Sequence, residues 1–236
     1  MAESTSGYAN PDLLVETDWL AQHLSDPNIR IVDCGARDAY TRAHIPGAVC
    51  PRDSWMKDPA DPQHVLVMGP DALAKEMAGL GVGDDTLVIA YDGLRSNNAA
   101  RLWWVLNYYG HANTKVLNGG WNKWLAEGRP VSFKEPKVPA AEFSPVAVDA
   151  IVCKVDDLKA KIGQPGVSIW DVRSPEEYDG RNDRGNKRKG HVPGAVHVEW
   201  TAMMSSGDLQ TFKPAAEMWA VLNSLGITPE AEVVTY

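Results

Sequence analysis

Residues 29–49, IRIVDCGARDAYTRAHIPGAV, decide the fold because the same pattern occurs again later in the chain. Residues 167–178 read VSIWDVRSPEEY, and residues 190–196 read GHVPGAV. Each version runs from an apolar strand to an aspartate, then to a tyrosine and a His-(Ile/Val)-Pro-Gly-Ala-Val turn. One such turn alone is an ordinary loop, in which proline fixes φ and glycine relaxes it. Two turns in the same register indicate an internal repeat.

A second pair of matching segments follows the first pair in the same order. Residues 70–91, PDALAKEMAGLGVGDDTLVIAY, align with residues 214–236, PAAEMWAVLNSLGITPEAEVVTY. Each predicts a helix with apolar residues near a 3.6-residue period, a Leu-Gly stop, a polar turn and a buried strand ending in tyrosine. The chain is therefore predicted to be a tandem duplication.

The repeat predicts an α/β fold. In the first copy, helical patterns separate the expected strands at 29–33, 47–49, 86–91 and 114–117. This alternation is typical of βαβ units, in which helices cover a mostly parallel sheet. Four prolines between residues 129 and 147 favour an extended, stiff linker. We expect domain 1 at 10–134, a linker at 135–147 and domain 2 at 148–236.

Composition restricts the location and the partners. The net charge of −8 argues against non-specific binding of nucleic acid, and no apolar run is long enough to span a membrane. The first residues lack the basic and apolar segments of a secretory signal. Three sparse cysteines, Cys34, Cys50 and Cys153, favour reduced thiols in the cytoplasm, and no Cys or His cluster has the spacing of metal ligands. We expect no metal, membrane or nucleic-acid partner.

Three motifs resemble the signatures of the rhodanese (thiosulfate sulfurtransferase) family, and they extend over nearly the whole chain. They are Tyr40 with the His44–Ala48 turn, the copy of that turn at His191–Ala195, and VLNGGWNKW at residues 116–124. The resemblance implies two tandem rhodanese-like domains, each a mostly parallel sheet flanked by helices. It also implies that only the second domain is catalytic.

The resemblance implies where the nucleophilic cysteine belongs, which is directly after the aromatic residue that ends a strand. In the first repeat Asp92 stands at this position, after Tyr91. A carboxylate cannot form a persulfide, so domain 1 is expected to be non-catalytic. In the second repeat the strand ends at Tyr236, and the cysteine is expected as the next residue. The 236 residues are then expected to hold an incomplete second domain and to be inactive alone.

The reaction that the resemblance implies moves the sulfane sulfur of thiosulfate to cyanide or a thiol through a cysteine persulfide, without a cofactor. Backbone N–H groups at a helix N-terminus would favour the thiolate form of that cysteine. Three alternatives stay open: a 3-mercaptopyruvate sulfurtransferase, a catalytically silent rhodanese-like binding or regulatory protein, and a phosphatase of the related fold.

Four residues of the second repeat are candidates for binding substrate or supporting the active-site loop. Asp171 and Arg173 resemble a family motif near that loop, and they are equally consistent with a structural ion pair. Glu177 stands where mercaptopyruvate-using relatives tend to place an arginine, which favours thiosulfate. Trp200 is expected either at an aromatic pocket wall or in the core.

The stretch at residues 180–190, GRNDRGNKRKG, is an insertion relative to the first repeat. It concentrates positive charge in an acidic protein, and it is predicted to be a solvated loop or an element that attracts thiosulfate. The candidate residues for such steering are Arg184, Lys187, Arg188 and Lys189. The three cysteines present are interpreted as structural thiols, since no loop and helix follow any of them in the pattern of an anion cradle.

Overall fold

The computed structural model describes residues 7–51 and 67–236. Their contacts divide into two units. Unit 1 contains residues 9–149 and 206–211, and unit 2 contains the described residues 7–8 together with 150–205 and 212–236. Each unit has its own parallel sheet. The predicted fold class, α/β with two mostly parallel sheets flanked by helices, is confirmed.

Unit 1 is built on a four-stranded parallel sheet with the strand order β1-β4-β3-β2. The strands are β1 (Leu14–Val15), β2 (Ile29–Asp33), β3 (Leu87–Tyr91) and β4 (Thr114–Leu117). The helices are α1 (Thr17–Gln22), α2 (Arg37–Arg42), α3 (Pro70–Gly79), α4 (Asn97–Tyr108) and α5 (Gly120–Ala126).

Strand β3 separates the two halves of the unit 1 core. Val88 and Ala90 belong to one buried apolar cluster, whereas Ile89 and Tyr91 belong to a second. Successive side chains of a strand point to opposite faces, so the two clusters lie on opposite sides of the sheet. Helices α3 and α4 contribute to the first cluster, and Trp124 of α5 contributes to the second. Both faces of the sheet are therefore covered, as a parallel sheet requires.

One strand prediction for the first repeat was inaccurate, and one strand was not predicted. The segment predicted as a strand at 47–49 forms only an isolated bridge between Val49 and Val32, because Gly47 lies in a turn with φ of +81°. Strand β1 was not predicted, since two residues show no periodicity. It forms through long-range pairing with Val116 and Leu117 of β4.

Unit 2 repeats the central part of unit 1. Strands β5 (Val167–Asp171), β6 (Val196–His197) and β7 (Glu232–Thr235) form a parallel sheet in the order β6-β5-β7. The helices are α6 (Val155–Lys161), α7 (Pro175–Tyr178) and α8 (Ala215–Ser224). Ile169 of β5 pairs with Val234 of β7, just as Ile31 of β2 pairs with Ile89 of β3. The aligned sequences thus form equivalent strands in the same relative register.

The Pro-rich segment 135–147 belongs to unit 1 and has no regular secondary structure, and backbone hydrogen bonds attach it to the rest of that unit. Asp84 N donates to Glu142 O at 3.1 Å, and Val146 N donates to Tyr109 O at 3.0 Å. None of the helices in the described parts of the chain combines the length and apolar character needed to cross a membrane.

Candidate functional site

Asp171 and Arg173 form an ion pair at the carboxyl end of β5. Arg173 Nε donates to Asp171 Oδ1 at 2.9 Å, and Nη2 donates to Oδ2 at 2.5 Å. The Arg173 backbone N–H donates to Oδ1 as well, at 3.0 Å. The carboxyl edge is where open parallel sheets place their ligands. The structure thus places a bidentate ion pair at the sheet edge where a ligand is expected to bind.

The electrostatics of this pair favour the charged carboxylate, although Asp171 is fully buried. Burial by itself would raise the pKa of Asp171, but the hydrogen bonds from the side chain and backbone of Arg173 outweigh it. The resulting pKa is below the ordinary value for aspartate. Hydrogen bonding to Asp171 raises the pKa of Arg173 in turn. Both groups therefore remain ionised at neutral pH.

Tyr236 follows β7 and packs beside the same pair. Its hydroxyl accepts a hydrogen bond from Val192 N at 2.8 Å. Burial, with the neighbouring carboxylate of Asp171, raises the pKa of Tyr236. The guanidinium carbon of Arg173 lies 5.1 Å from the centroid of the Tyr236 ring, which is a cation–π distance. Val172 N donates to Tyr236 O at 3.2 Å. The ends of β5 and β7 are thereby fixed together.

Unit 1 contains the same tyrosine–aspartate contact without the arginine. Tyr91 Oη donates to Asp33 Oδ2 at 2.6 Å and accepts from Ile45 N at 3.2 Å. Gly35 occupies the position of Arg173, and a Cβ on Gly35 would lie only 2.9 Å from Asp33 Oδ1. Burial raises the pKa of Asp33, and here no guanidinium reverses that effect. The arginine therefore distinguishes the second repeat from the first.

The turns that carry the His-Pro-Gly-Ala motif position the backbone that binds each tyrosine. In unit 2, the rings of His191 and Tyr178 stack with centroids 3.8 Å apart, and Tyr178 Oη donates to Ala195 O at 3.1 Å. These contacts fix the turn so that the N–H of Val192 donates to the hydroxyl of Tyr236. In unit 1, Tyr40 and His44 stack in the same way, with centroids 4.0 Å apart.

Asp92 in unit 1 occupies the position at which the family resemblance places a nucleophile in the second repeat. Its Oδ1 accepts from Leu94 N at 2.6 Å and from Ser96 N at 3.0 Å, and Oδ2 accepts from Ala99 N at 2.8 Å. The loop and the first turn of α4 therefore form a cradle of backbone donors around an anion.

The Asp92 cradle is closed to solvent. Asp92 is only 2 % exposed, and its carbonyl accepts a hydrogen bond from Trp121 N at 2.9 Å. Gly120 adopts φ of +49°, and a Cβ there would lie 2.2 Å from Asp92 O. A residue with a side chain cannot occupy position 120 without moving the backbone. In unit 1 the cradle thus holds a carboxylate instead of a thiol, and it is not accessible to solvent.

Glu177 is a structural capping residue of the short helix α7. Its Oε2 accepts hydrogen bonds from the N–H and the hydroxyl of Ser174, while Glu177 N donates to Ser174 Oγ, which is a capping box. Its Oε1 lies 3.4 Å from Arg184 Nε. The residue is buried, and its carboxylate faces the protein interior and Arg184.

Trp200 begins a 3-10 turn that spans Trp200–Met203, and its backbone N–H donates to Val172 O at 3.0 Å. The residue is half-buried at the same edge as the Asp171–Arg173 pair. His197, at the end of β6, directs Nε2 to Arg173 O at 2.9 Å. The backbone around Arg173 is consequently held from several sides.

The four basic candidates of the inserted loop divide into two pairs. Arg184 contacts Glu177, and Lys189 Nζ lies 3.3 Å from Asp183 Oδ2. Lys187 and Arg188 are exposed, and in the described parts of the chain neither forms an ion pair. The loop is linked to the site at its end, where Gly190 O accepts from Arg173 Nη2 at 2.9 Å.

The three cysteines differ in burial, and the two in unit 1 are poor nucleophiles. Burial raises the pKa of Cys34 well above its ordinary value, and it raises the pKa of Cys50 to about 11. Cys153 is partly exposed just before α6 and is unpaired with any other cysteine. Thiolates rather than thiols attack sulfur, so Cys34 and Cys50 are unreactive at neutral pH.

Sequence reasoning did not identify the residues that join the strand ends, namely Tyr236, Tyr178 and Gly190. A signal for the tyrosines was present, since both repeats place one at the end of the strand and one before the turn. The carbonyl of Gly190 gave no signal, because any residue supplies a carbonyl. Within residues 7–51 and 67–236, no three His, Cys, Asp or Glu side chains are grouped as metal ligands.

Comparison with known proteins agrees with this architecture. The model of the rhodanese-like domain matches residues 16–127 and again residues 154–236. The sulfur carrier protein TtuD of Thermus thermophilus is 35% identical, with 98% of this chain and 84% of that protein covered. A thiosulfate sulfurtransferase of Azotobacter vinelandii is 34% identical, with 97% and 83% covered.

The fold also matches a solved structure. The crystal structure of SseA from Escherichia coli, described as a 3-mercaptopyruvate sulfotransferase, superposes with a TM-score of 0.84 at 28% identity. The match covers 94% of this chain and 87% of that one. With two matched segments, two equivalent sheets and this superposition, the chain belongs to the rhodanese-like family in its tandem, two-domain form.

Proposed function

We propose that this protein is a sulfurtransferase that moves the sulfane sulfur of thiosulfate to cyanide or a thiol. The thiosulfate sulfurtransferase of Azotobacter vinelandii and the sulfur carrier protein TtuD support the reaction class. The observation that carries the proposal is the fixed edge of unit 2, where Asp171, Arg173 and Tyr236 hold the ends of β5 and β7 together. Domain 1 (10–134) is the non-catalytic copy, residues 135–147 are the linker, and domain 2 (148–236) carries the reactive edge.

The nucleophile in this proposal is a cysteine at the position that follows Tyr236, equivalent to Asp92 in unit 1. Its thiolate attacks the outer sulfur of thiosulfate, the S–S bond breaks, and sulfite leaves with the electron pair. The acceptor then attacks the outer sulfur of the persulfide and regenerates the thiolate. The three donors around Asp92 support the idea that this position stabilises an anion.

The proposal also assigns thiosulfate rather than 3-mercaptopyruvate as the donor. The likeness to SseA keeps mercaptopyruvate as the second candidate. A substrate carboxylate needs a cation, and Glu177 supplies a negative charge that Arg184 already neutralises. Thiosulfate needs no such partner at residue 177. We therefore propose a ratio of kcat/KM values that favours thiosulfate, in a protein whose sparse cysteines suit the reducing cytoplasm.

Removing every cysteine of the 236 residues should leave sulfur transfer intact. In the full-length protein, alanine at Cys34, Cys50 and Cys153 should preserve thiosulfate:cyanide activity, because two of these thiols are buried with raised pKa values. The persulfide formed with thiosulfate, detected by mass spectrometry, should map to the peptide that contains the position after Tyr236. Loss of the persulfide in the Cys153→Ala single variant would contradict the assignment.

The inserted loop should make thiosulfate binding sensitive to salt. Glutamine at Arg184, Lys187, Arg188 and Lys189 should raise KM for thiosulfate at low salt, because the positive field that attracts the anion is lost. In the native protein KM should increase with salt, since exposed charges are screened over about 8 Å at physiological ionic strength. In the variant this increase should be smaller. The matched control replaces four cations elsewhere, Lys75, Lys134, Lys137 and Lys154, for the same change in net charge. An unchanged salt response in the loop variant would rule out steering.

A further inference from the structure

The inserted loop at residues 180–190 is a folded surface element. A Cβ on Gly180 would lie 3.1 Å from Gly190 N, so the two ends of the loop meet. Asp183 organises the interior, because its Oδ1 accepts from Gly185 N at 2.9 Å and its carbonyl accepts from Asn186 N at 2.8 Å. Compact surface loops with adjacent ends are Ω-loops, and they frequently carry function.

Three contacts hold this Ω-loop against the body of unit 2. Arg184 approaches Glu177 at 3.4 Å, Asn182 N donates to Glu176 O at 2.9 Å, and Gly190 O accepts from Arg173. Arg184 is therefore an anchoring cation, whereas Lys189 pairs with Asp183 inside the loop. The same anchors leave the tip of the loop, Lys187 and Arg188, exposed and outside any ion pair of the described chain.

We propose that the tip formed by Lys187 and Arg188 is a docking point for an acidic segment of a protein that accepts sulfur. This inference rests on the proposed function, because the loop is attached through Arg173 to the edge where the persulfide would form. Two adjacent cations on a pre-folded loop lose little conformational freedom when a partner binds. Transfer to a protein acceptor needs such a contact beside the reacting group.

Charge complementarity selects an acidic polypeptide over a single small anion at the tip. Lys187 and Arg188 are exposed, and a single ion pair on a solvated surface contributes little to binding. A polypeptide with several carboxylates engages both cations at once and gains association rate from their field. The protein has a net charge of −8, so the rest of its surface repels an acidic partner. The loop therefore also determines the position at which the partner binds.

The test measures binding of a fluorescent polyglutamate peptide to the full-length protein by anisotropy. Lys187→Glu/Arg188→Glu should weaken binding about fivefold, since two exposed charge pairs are lost. The matched control is Lys134→Glu/Lys137→Glu, which reverses two exposed cations of unit 1. Retained affinity in this control, together with binding that weakens as salt increases, supports docking at the tip.

Three outcomes would overturn the inference. An equal loss of peptide affinity in both double variants would mean that the overall electrostatic field, rather than the tip of the loop, attracts the peptide. Displacement of the peptide by millimolar thiosulfate, beyond the displacement that sodium chloride causes at the same ionic strength, would make the tip a small-anion site. Absence of peptide binding would show that the tip is not a docking point. Thiosulfate:cyanide activity of the native protein and of the Lys134→Glu/Lys137→Glu control tests the proposed function separately, because neither cyanide nor thiosulfate is a polypeptide and neither control residue belongs to the steering set.

Discussion

Replacing Arg173 by alanine should destabilise unit 2 by about 3 kcal/mol, because a buried charge that loses its partner is costly. Asp171 is fully buried, and Arg173 supplies its bidentate partner at 2.5 and 2.9 Å. The same substitution removes the donor to Gly190 O and the cation over the Tyr236 ring. Lysine at position 173 keeps the positive charge but cannot form the bidentate hydrogen bond of a guanidinium, so Arg173→Lys should destabilise unit 2 less than Arg173→Ala does.

The measurement for Arg173→Ala is amide hydrogen exchange in β5 and β7. A chain of two units need not unfold in one step, so protection factors resolved by residue are preferable to a single midpoint. Arg188→Ala is the control, because Arg188 is exposed and forms no ion pair in the described chain. Unchanged protection in Arg173→Ala would mean that the buried carboxylate does not need its guanidinium.

The pH dependence of the variant should have the opposite sign to that of the native pair. In the native protein the pKa of Asp171 is lowered, so its contribution to stability is present above the ordinary carboxyl pKa of about 3.9 and is lost as pH falls through the lower, folded value. The Arg173→Ala variant keeps the backbone N–H that donates to Asp171 Oδ1 but loses the guanidinium, so we expect burial, the largest contribution, to raise that pKa. Stability should then be lost as pH rises through the raised value, so mild acid should stabilise the variant.

The repeat made most of the fold predictable, because the two copies support each other. The strand and helix patterns around Tyr91 and Tyr236 predicted equivalent βαβ segments, and the register of β5 with β7 repeats that of β2 with β3. What escaped prediction depends on distant partners. Strand β1 has only two residues, and its existence depends on pairing with β4.

The candidate site was predictable where local chemistry determines it. The Ser-Pro-Glu-Glu sequence before Tyr178 contains the capping-box pattern, so the role of Glu177 in α7 could have been predicted from spacing alone. The attachment of the inserted loop could not, since Arg173 binds the carbonyl of Gly190, and backbone carbonyls carry no sequence signal. The identity of side chains thus indicated which residues form the site, whereas the backbone contacts that hold these residues together were not predictable from the sequence.

Alanine at Asp92 should destabilise unit 1 by about 3 kcal/mol. The substitution removes the acceptor of three backbone N–H groups, and an unsatisfied buried donor costs about 1–3 kcal/mol. Ser96 and Ala99 are themselves buried, so water cannot readily replace the carboxylate there. The Asp92→Asn variant should have a stability between those of the native protein and Asp92→Ala, because an amide keeps one acceptor oxygen but carries no charge.

Exchange of the Ser96 and Ala99 amides measures the loss directly, with Asp85→Ala as the control at an exposed carboxylate of the same unit. Equal protection in Asp92→Ala and the native protein would show that the cradle does not depend on its anion.

The Asp92→Cys variant tests whether a thiol placed in this cradle can react with thiosulfate. Its thiol would occupy a position that is 2 % exposed and covered by Gly120, so thiosulfate should leave no persulfide on it. A sulfurtransferase site therefore requires an opening above the cradle as well as a cysteine within it, and unit 1 lacks both.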